Sequence, residues 1–170
     1  SISSIVGGLK NRCLFMILNC SNSYFADPKY KIFLTGSGGS IGRHLYRFLT
    51  GMGASVETKL EKYESAKSSV VIHLAAVTRI SQDFNPHLFE ANIVLTNRIF
   101  QKKDARIIYA SSCSAAHLTN PYAYTKRYSE YLGEKHGGSI GLRFFNVYGP
   151  ENNKGIVHYL IGKNDGEELI

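Results

Sequence analysis

Thr35-Gly36-Ser37-Gly38-Gly39-Ser40-Ile41-Gly42 decides how the rest of this chain is read. Lys31-Ile32-Phe33-Leu34 precedes it and reads as a strand. Arg43 to Leu49 follows, and Ile41, Leu45, Phe48 and Leu49 fall at helical spacing. Strand, glycine-rich turn and helix together make a seat for a pyrophosphate. Gly36 permits the tight turn, Gly39 lets the backbone approach the phosphates, and Gly42 lets the helix pack against the strand. Ser40 and Ile41 open the helix, whose unpaired N–H groups and positive dipole end favour an anion. The spacing is G-x-x-G-x-x-G rather than G-x-G-x-x-G, and a plain glycine turn is the competing reading.

Outward from this loop, strands and helices alternate. The first helix ends near Gly51-Met52-Gly53, and Ala54 to Glu57 reads as a second strand. Glu57 stands about twenty residues after the first glycine, where a dinucleotide fold places an acid for the adenosine ribose hydroxyls. A surface glutamate is the competing reading. Arg43 and Lys59 are bases that would instead accept a 2′-phosphate, so the acid favours NAD and leaves NADP open. Leu60 to Ser68 is charged and suggests a short helix. Val70 to Ala76 is a continuous apolar run, as expected of a strand buried on both faces. Ala75 and Ala76 are small enough for something flat to lie at its end. Ser81 to Phe100 is a helical region interrupted near Pro86, and Asn92 sits among its apolar positions. Arg106 to Ala110 is a strand ending in Ser111-Ser112-Cys113-Ser114. Pro121 opens a helix that runs from Tyr122 to about His136, where Gly137-Gly138 closes it. Ser139 to Phe145 is a further strand. This alternation predicts an α/β fold with a doubly wound parallel sheet.

The remainder is less informative. Residues 1–30 form an N-terminal extension, either irregular and packed on the domain edge or a strand used in dimerisation. Length predicts one domain. The formal charge of +7 comes from scattered Lys and Arg with no basic run interleaved with aromatics, so phosphate handling is preferred over nucleic acid. Three cysteines (Cys13, Cys20 and Cys113), without a C-x-x-C, favour a reducing compartment and neither a disulfide framework nor a metal site. No apolar run approaches membrane-spanning length, and Leu14 to Leu18 is too short for a signal core.

Tyr122 and Lys126 lie four apart at the start of a helix, on one face. A phenol with a pKa of about 10 is a poor acid or base near neutrality, and a neighbouring ammonium stabilises the phenolate. Such a pair can move a proton on and off a sugar hydroxyl or carbonyl. Two surface residues of a helix are the bland alternative. The Ser111-Ser112 pair adds a hydroxyl at the C-terminal end of a strand, where open α/β sheets bind ligands. Cys113 reads better as a small packed thiol than as a reactive one. His73, in an apolar strand, reads as a satisfied structural histidine.

Taken in order, these residues resemble the extended short-chain dehydrogenase/reductase superfamily, and within it the NAD-dependent epimerase/dehydratase family. The loop Thr35–Gly42, His73-Leu74-Ala75-Ala76, Asn92-Ile93, Tyr109-Ala110-Ser111-Ser112, Pro121-Tyr122-Ala123-Tyr124-Thr125-Lys126 and Leu142 to Pro150 match its successive motifs over about residues 31–150. The resemblance implies a Rossmann-like dinucleotide-binding domain over 31–150, carrying the catalytic residues. Residues 151–170 would begin a truncated substrate-binding region, the C-terminal substrate domain being largely absent. It implies Tyr122 as acid/base, Lys126 as its partner and a nicotinamide-ribose ligand, and Ser112, with Ser111 a close second, as the helper hydroxyl. Gly36, Gly39, Ser40, Ile41, Gly42, Glu57, Leu74, Ala75, Ala76, Asn92, Tyr122, Lys126 and Phe145 would hold NAD. Ser112, Tyr122 and Asn146 would meet a sugar nucleotide. The implied activity is UDP-hexose 4-epimerisation through a transient keto sugar, in a cytoplasmic homodimer without nucleic acid, membrane or metal. The alternatives are a sugar-nucleotide reductase, since Cys113 follows the serine pair, and a non-catalytic dinucleotide-binding module.

Three departures mark the chain against that resemblance. The stretch between Ser112 and Tyr122 is short, with Ala116-His117 where an aromatic-glycine pair is usual. The stretch from Gly53 to Val70 is short, and the usual acid-containing strand that holds the adenine is missing. The sequence ends near Ile170, as a fragment or as a reduced form completed by a partner chain. The acidic pair that dehydratases carry after the catalytic hydroxyl is replaced by Cys113 and Ser114, which favours epimerisation or reduction.

Overall fold

The computed structural model describes residues 31–65, 68, 70–78, 85–149, 157 and 159. The expectations for residues 1–30 and, apart from Val157 and Tyr159, for the C-terminal tail lie outside the described residues, as does the start of the region expected from Ser81.

Five strands form one parallel sheet: β1 (Lys31–Thr35), β2 (Ser55–Glu57), β3 (Val70–His73), β4 (Arg106–Ser112) and β5 (Ser139–Phe144). Their spatial order is β2-β1-β3-β4-β5, with every neighbouring pair parallel. The chain leaves β1 for one side and returns to the other, so the order reverses at β1, and the crevice beyond its C-terminal end is where such sheets take ligands. Among the described residues β2 and β5 are the two edge strands.

Alternation along the strands fills both faces. Phe33, Val71, Ile107 and Tyr109 point to one side and pack with Tyr63, Ile99 and Phe100. Ile32, Leu34 and Ile72 point to the other and pack with Leu49 and Ala54. Each such side chain, taken fully out of water, contributes about 1.5–3 kcal/mol. Tyr63 is buried because its hydroxyl finds the Ile99 carbonyl at 2.6 Å; burial pushes that phenol up to about 12.

Helix α1 (Ser40–Gly51) follows the glycine loop. The second helical region starts at Pro86, with Asn85 capping it by accepting from the Leu88 N–H at 2.8 Å. It runs as α2 (Pro86–Phe89), a π-helical stretch Glu90–Val94 and α3 (Leu95–Phe100). Helix α4 (Pro121–His136) is capped by Asn120, which accepts from Ala123 N–H at 3.0 Å. Its end is a left-handed Gly137 at φ 75°.

Three boundaries differ from the sequence expectation, each for a local reason. The apolar run from Val70 stops being strand at His73, because β1 ends opposite it at Thr35. Beyond that point the Leu74 N–H is shared between the Thr35 carbonyl at 3.3 Å and the Thr35 hydroxyl at 3.2 Å, and the Ala75 N–H goes to the hydroxyl at 3.2 Å. Strand β4 continues two residues past Ala110, since Ser111 and Ser112 still pair with Arg143 and Phe144. Among its described residues the charged stretch after β2 forms one 3-10 turn, Leu60–Lys62.

Candidate active site

The glycine loop is shaped by backbone contact. Gly36 has φ +73°, and a methyl there would lie 2.6 Å from the Ala75 nitrogen, so the loop presses on the end of β3. Its carbonyl receives the Gly39 N–H at 3.0 Å. A methyl at Gly42 would collide with that same carbonyl and with Ser37, so the first turn of α1 packs on the loop itself. Gly38 faces open space. Helix α1 starts at Gly39 with no side-chain cap and no acid in its first turn, which leaves its positive end to an outside anion. Ser40 and Ile41 stand half-buried at this start.

Leu74, Ala75 and Ala76 line the crevice next to the loop, half-buried and outside any strand. Behind them His73 is buried, between Thr35 at 2.7 Å on Nδ1 and Thr96 at 3.0 Å on Nε2. The Thr35 oxygen already accepts two N–H bonds, so its one proton goes to Nδ1. His73 therefore carries its own proton on Nε2 and donates it to Thr96. Burial, helped by the Lys126 charge, lowers its pKa to about 3, so it stays neutral and structural.

Asn92 lies in the π-helical stretch, and its amide is committed to the protein. Oδ1 accepts from Val77 N–H at 2.8 Å, while Nδ2 donates to the Val77 carbonyl at 3.0 Å and to Thr125 Oγ1 at 3.1 Å. It bridges the loop after β3 to α4. A π turn of this kind re-aims one side chain without breaking the helix.

Tyr122 and Lys126 sit buried on one face of α4, against the C-terminal end of β4. Lys126 Nζ donates to the Ala110 carbonyl at 2.9 Å and stands 5.7 Å from the Tyr122 ring centre. Burial lowers its pKa to about 8, which leaves it mostly charged near neutrality. Burial raises the Tyr122 phenol; a hydrogen bond with Ser112 opposes that rise, and the nearby Cys113 thiol adds to it. The two serines part company here. Ser112 accepts from the Ser114 N–H at 3.2 Å and is near enough to Tyr122 to ease its ionisation. Ser111 donates instead to Glu130 at 2.7 Å.

Glu57 ends β2 with its carboxylate accepting from its own neighbours, Thr58 N–H at 3.0 Å and Lys59 N–H at 2.9 Å, and with Lys62 at 3.5 Å. These contacts, the Lys59 N–H foremost, hold its pKa below the usual value. Phe145 and Asn146 follow β5 and are exposed, Phe145 to 77%. The structure thus brings the glycine loop, residues 74–76, Ser112, Tyr122 and Lys126 to one end of the sheet. Glu57 stands at the outer strand, and Phe145 and Asn146 at the opposite flank.

Sequence reading passed over Glu130 and gave Arg143 no role. Glu130 accepts from Arg143 Nε at 2.6 Å and Nη2 at 2.8 Å, and from Arg127 at 3.1 Å. Its spacing, four after Lys126, was the available signal. Among the described residues no group of three or more His, Cys, Asp or Glu could hold a metal ion, and no helix is long and apolar enough to cross a membrane.

The sequence profile of the NAD dependent epimerase/dehydratase family matches residues 55–167. No curated protein matches. Among solved structures, the UDP-glucuronic acid 4-epimerase of Bacillus cereus in complex with NAD is similar at 22% identity and TM-score 0.62, over 77% of this chain and 61% of that one. The UDP-N-acetylglucosamine 4-epimerase of Bacillus cereus is similar at 20% identity and TM-score 0.60, over 74% of this chain and 59% of that one. A GDP-L-fucose synthetase of Naegleria fowleri bound to NADP is similar at 18% identity and TM-score 0.52, over 68% of this chain and 49% of that one. The chain thus spans roughly half to three fifths of the length of these solved chains.

Proposed function

We propose that this chain, which belongs to the NAD dependent epimerase/dehydratase family, is an NAD-dependent sugar-nucleotide enzyme. Within that class we read it as an epimerase that inverts one sugar carbon, with a UDP-hexose 4-epimerase as its form. The observation that carries this is the placing of Ser112, Tyr122 and Lys126 together at the C-terminal end of β4, on the same end of the sheet as the glycine loop.

The residues fit a dinucleotide. Gly36 and Gly42 lie where any side chain would collide with backbone, and the α1 start is uncapped, so Gly36, Gly39, Ser40, Ile41 and Gly42 would hold the pyrophosphate. Leu74, Ala75 and Ala76 would flank it, with Asn92 keeping their loop in place. Glu57 would meet the adenosine ribose, Tyr122 and Lys126 the nicotinamide ribose, and Phe145 the nicotinamide end. Bound there, NAD would supply a hydride acceptor and donor and a cationic ring whose field favours the phenolate. Tyr122 would take the proton of the sugar hydroxyl while Ser112 hydrogen-bonds the same oxygen. Lys126, charged below about pH 8, favours the ionised phenol. On the return, Tyr122 would give the proton back to the same oxygen. Asn146 would hold the sugar nucleotide.

The Cys113 thiol close to Tyr122 favours a second reading, a sugar-nucleotide reductase, in which NAD(P)H is consumed. A third is a dinucleotide-binding module without turnover. It draws on the chain's share of the solved chains' length and on the exposed Ile140, Leu142, Phe145 and Tyr148 beside the site. For the assembly we propose a homodimer through the outer faces of α3 and α4. Tyr124 and Tyr131 are exposed on α4, and Phe89 and Val94 on the helical region beside it. A reducing, cytoplasmic setting suits the cysteine usage.

Native mass spectrometry with NAD and a UDP-hexose, followed by a turnover assay of wild type and Tyr122→Phe, tests the proposal. A dimer retaining NAD, interconverting hexoses without net NADH, supports it. Turnover should then fall about 10²–10⁴-fold in Tyr122→Phe with NAD still bound. Net NADH or NADPH consumption would select the reductase. NAD binding with no conversion by wild type would select the module, and a monomer that binds no dinucleotide would overturn all three.

A further inference from the structure

The inner stripe of α4 meets the end of β4 in three successive steps. Tyr122 has Ser112 as a neighbour that eases its ionisation, Lys126 reaches the Ala110 carbonyl at 2.9 Å, and Glu130 reaches the Ser111 hydroxyl at 2.7 Å. The third step extends to the next strand. Arg143 of β5 forks onto both Glu130 oxygens, at 2.6 and 2.8 Å, and Arg127 adds a bond at 3.1 Å. Ser111 and Arg143 are also opposite each other in the sheet register. The Glu130 side chain is only 9% exposed, and the Arg143 fork chiefly brings its pKa to about 2, so the carboxylate is charged throughout the working range.

Successive strand residues point to opposite faces. Anchoring Ser111 to α4 therefore fixes the rotation and register of β4 at the residue just before Ser112, which is itself buried. Arg143 lies two residues before Phe145 and three before Asn146, so the same carboxylate sets where that segment leaves β5. We propose that Glu130 is a positioning residue: it locks the ends of β4 and β5 against α4, and so holds Ser112 toward the Tyr122 hydroxyl. It touches no reacting atom, and the inference rests on the roles proposed above for Ser112 and Tyr122.

The sign of one measurement separates positioning from simple electrostatics. Removing a negative charge from the neighbourhood of a phenol makes its ionisation easier. Losing the Ser112 hydrogen bond makes it harder. Tyrosine-ring carbon NMR of the ligand-free full chain reads the Tyr122 pKa in wild type, Glu130→Ala, Glu130→Gln and Ser111→Ala. The expected result is a rise of about half a unit or more in Glu130→Ala, a smaller rise in Ser111→Ala, and near-restoration in Glu130→Gln, which keeps the Ser111 bond. A fall or no change in Glu130→Ala overturns the inference; if that variant does not fold, an unchanged value in Ser111→Ala overturns it. In the enzyme, kcat should drop about ten- to a hundredfold in Glu130→Ala with KM nearly constant, and Glu130→Gln should recover most of it. Equal loss in both variants, or a change confined to KM, would overturn it too. The NMR arms need no turnover, so they stand whether or not the epimerase reading does.

Discussion

The two halves of the crevice are held by different means. On the glycine-loop side, β1, α1 and the end of β3 fit because atoms are missing. Gly36 lies against Ala75, Gly42 lies against Gly36, and no side chain intervenes. On the catalytic side, β4, α4 and β5 fit because charged groups are present. Lys126 bonds a carbonyl, and Glu130 gathers a serine and two arginines. The first side tolerates no added volume at its loop glycines. The second has close glycine packing as well, with Gly133 and Gly141 lying against Tyr109, but adds paired charge to it. The difference suits the tasks proposed for the two sides. A pyrophosphate needs bare backbone N–H groups brought close, whereas proton transfer needs side chains of set orientation.

The sharpest way to break this contrast is volume on the first side. Gly42→Val drives two methyls into the Gly36 carbonyl and Ser37, and should cost about 3 kcal/mol in denaturant unfolding and abolish NAD binding. A variant that unfolds at the wild-type midpoint and still binds NAD would show that the loop is not held by backbone fit.

Asn92 sharpens the contrast because it joins the two sides, holding Val77 after β3 and Thr125 on α4. Asn92→Ala leaves both Val77 groups without this partner and should lower the unfolding free energy by about 2 kcal/mol, read by denaturant melts. A change within about 0.5 kcal/mol would mean that each side stands alone.

The smallest effect, counted per pH unit, is a pH dependence on the first side. His73 is neutral when folded, with its pKa lowered to about 3, while the unfolded chain binds a proton below about 6.5. Acid therefore favours the unfolded chain. This contribution is complete above about pH 6.5 and is lost as pH falls toward 3, at about 1 kcal/mol per unit. Unfolding of wild type and His73→Gln between pH 7 and 5 checks the sign; equal slopes would refute it. Glu130, on the second side, adds a loss only below about pH 4.5, as its folded value is about 2.

Much of the fold was legible because its signals are local. The apolar runs of β1, β3 and β4, the glycines at the turns and Pro121 at the start of α4 each act within a few residues. So did Thr35–Gly42 and the four-residue spacing of Tyr122 and Lys126. The boundaries that moved depended on partners far along the chain. β3 stopped where β1 had ended, and β4 lengthened because β5 still lay beside it.

By itself, the sequence determined the alternation of strands and helices, the glycine loop and which residue types stand near its chemistry, since periodicity and backbone freedom are properties of neighbours. Only the tertiary structure gave Ser111 and Ser112 different partners. The two are adjacent and chemically identical; what tells them apart is that Glu130, brought close by the packing of α4, takes the first and leaves the second to Tyr122. Likewise Asn92 became a bridge, and Glu57 a carboxylate held by its own backbone, through hydrogen bonds that depend on distance in space rather than spacing along the chain.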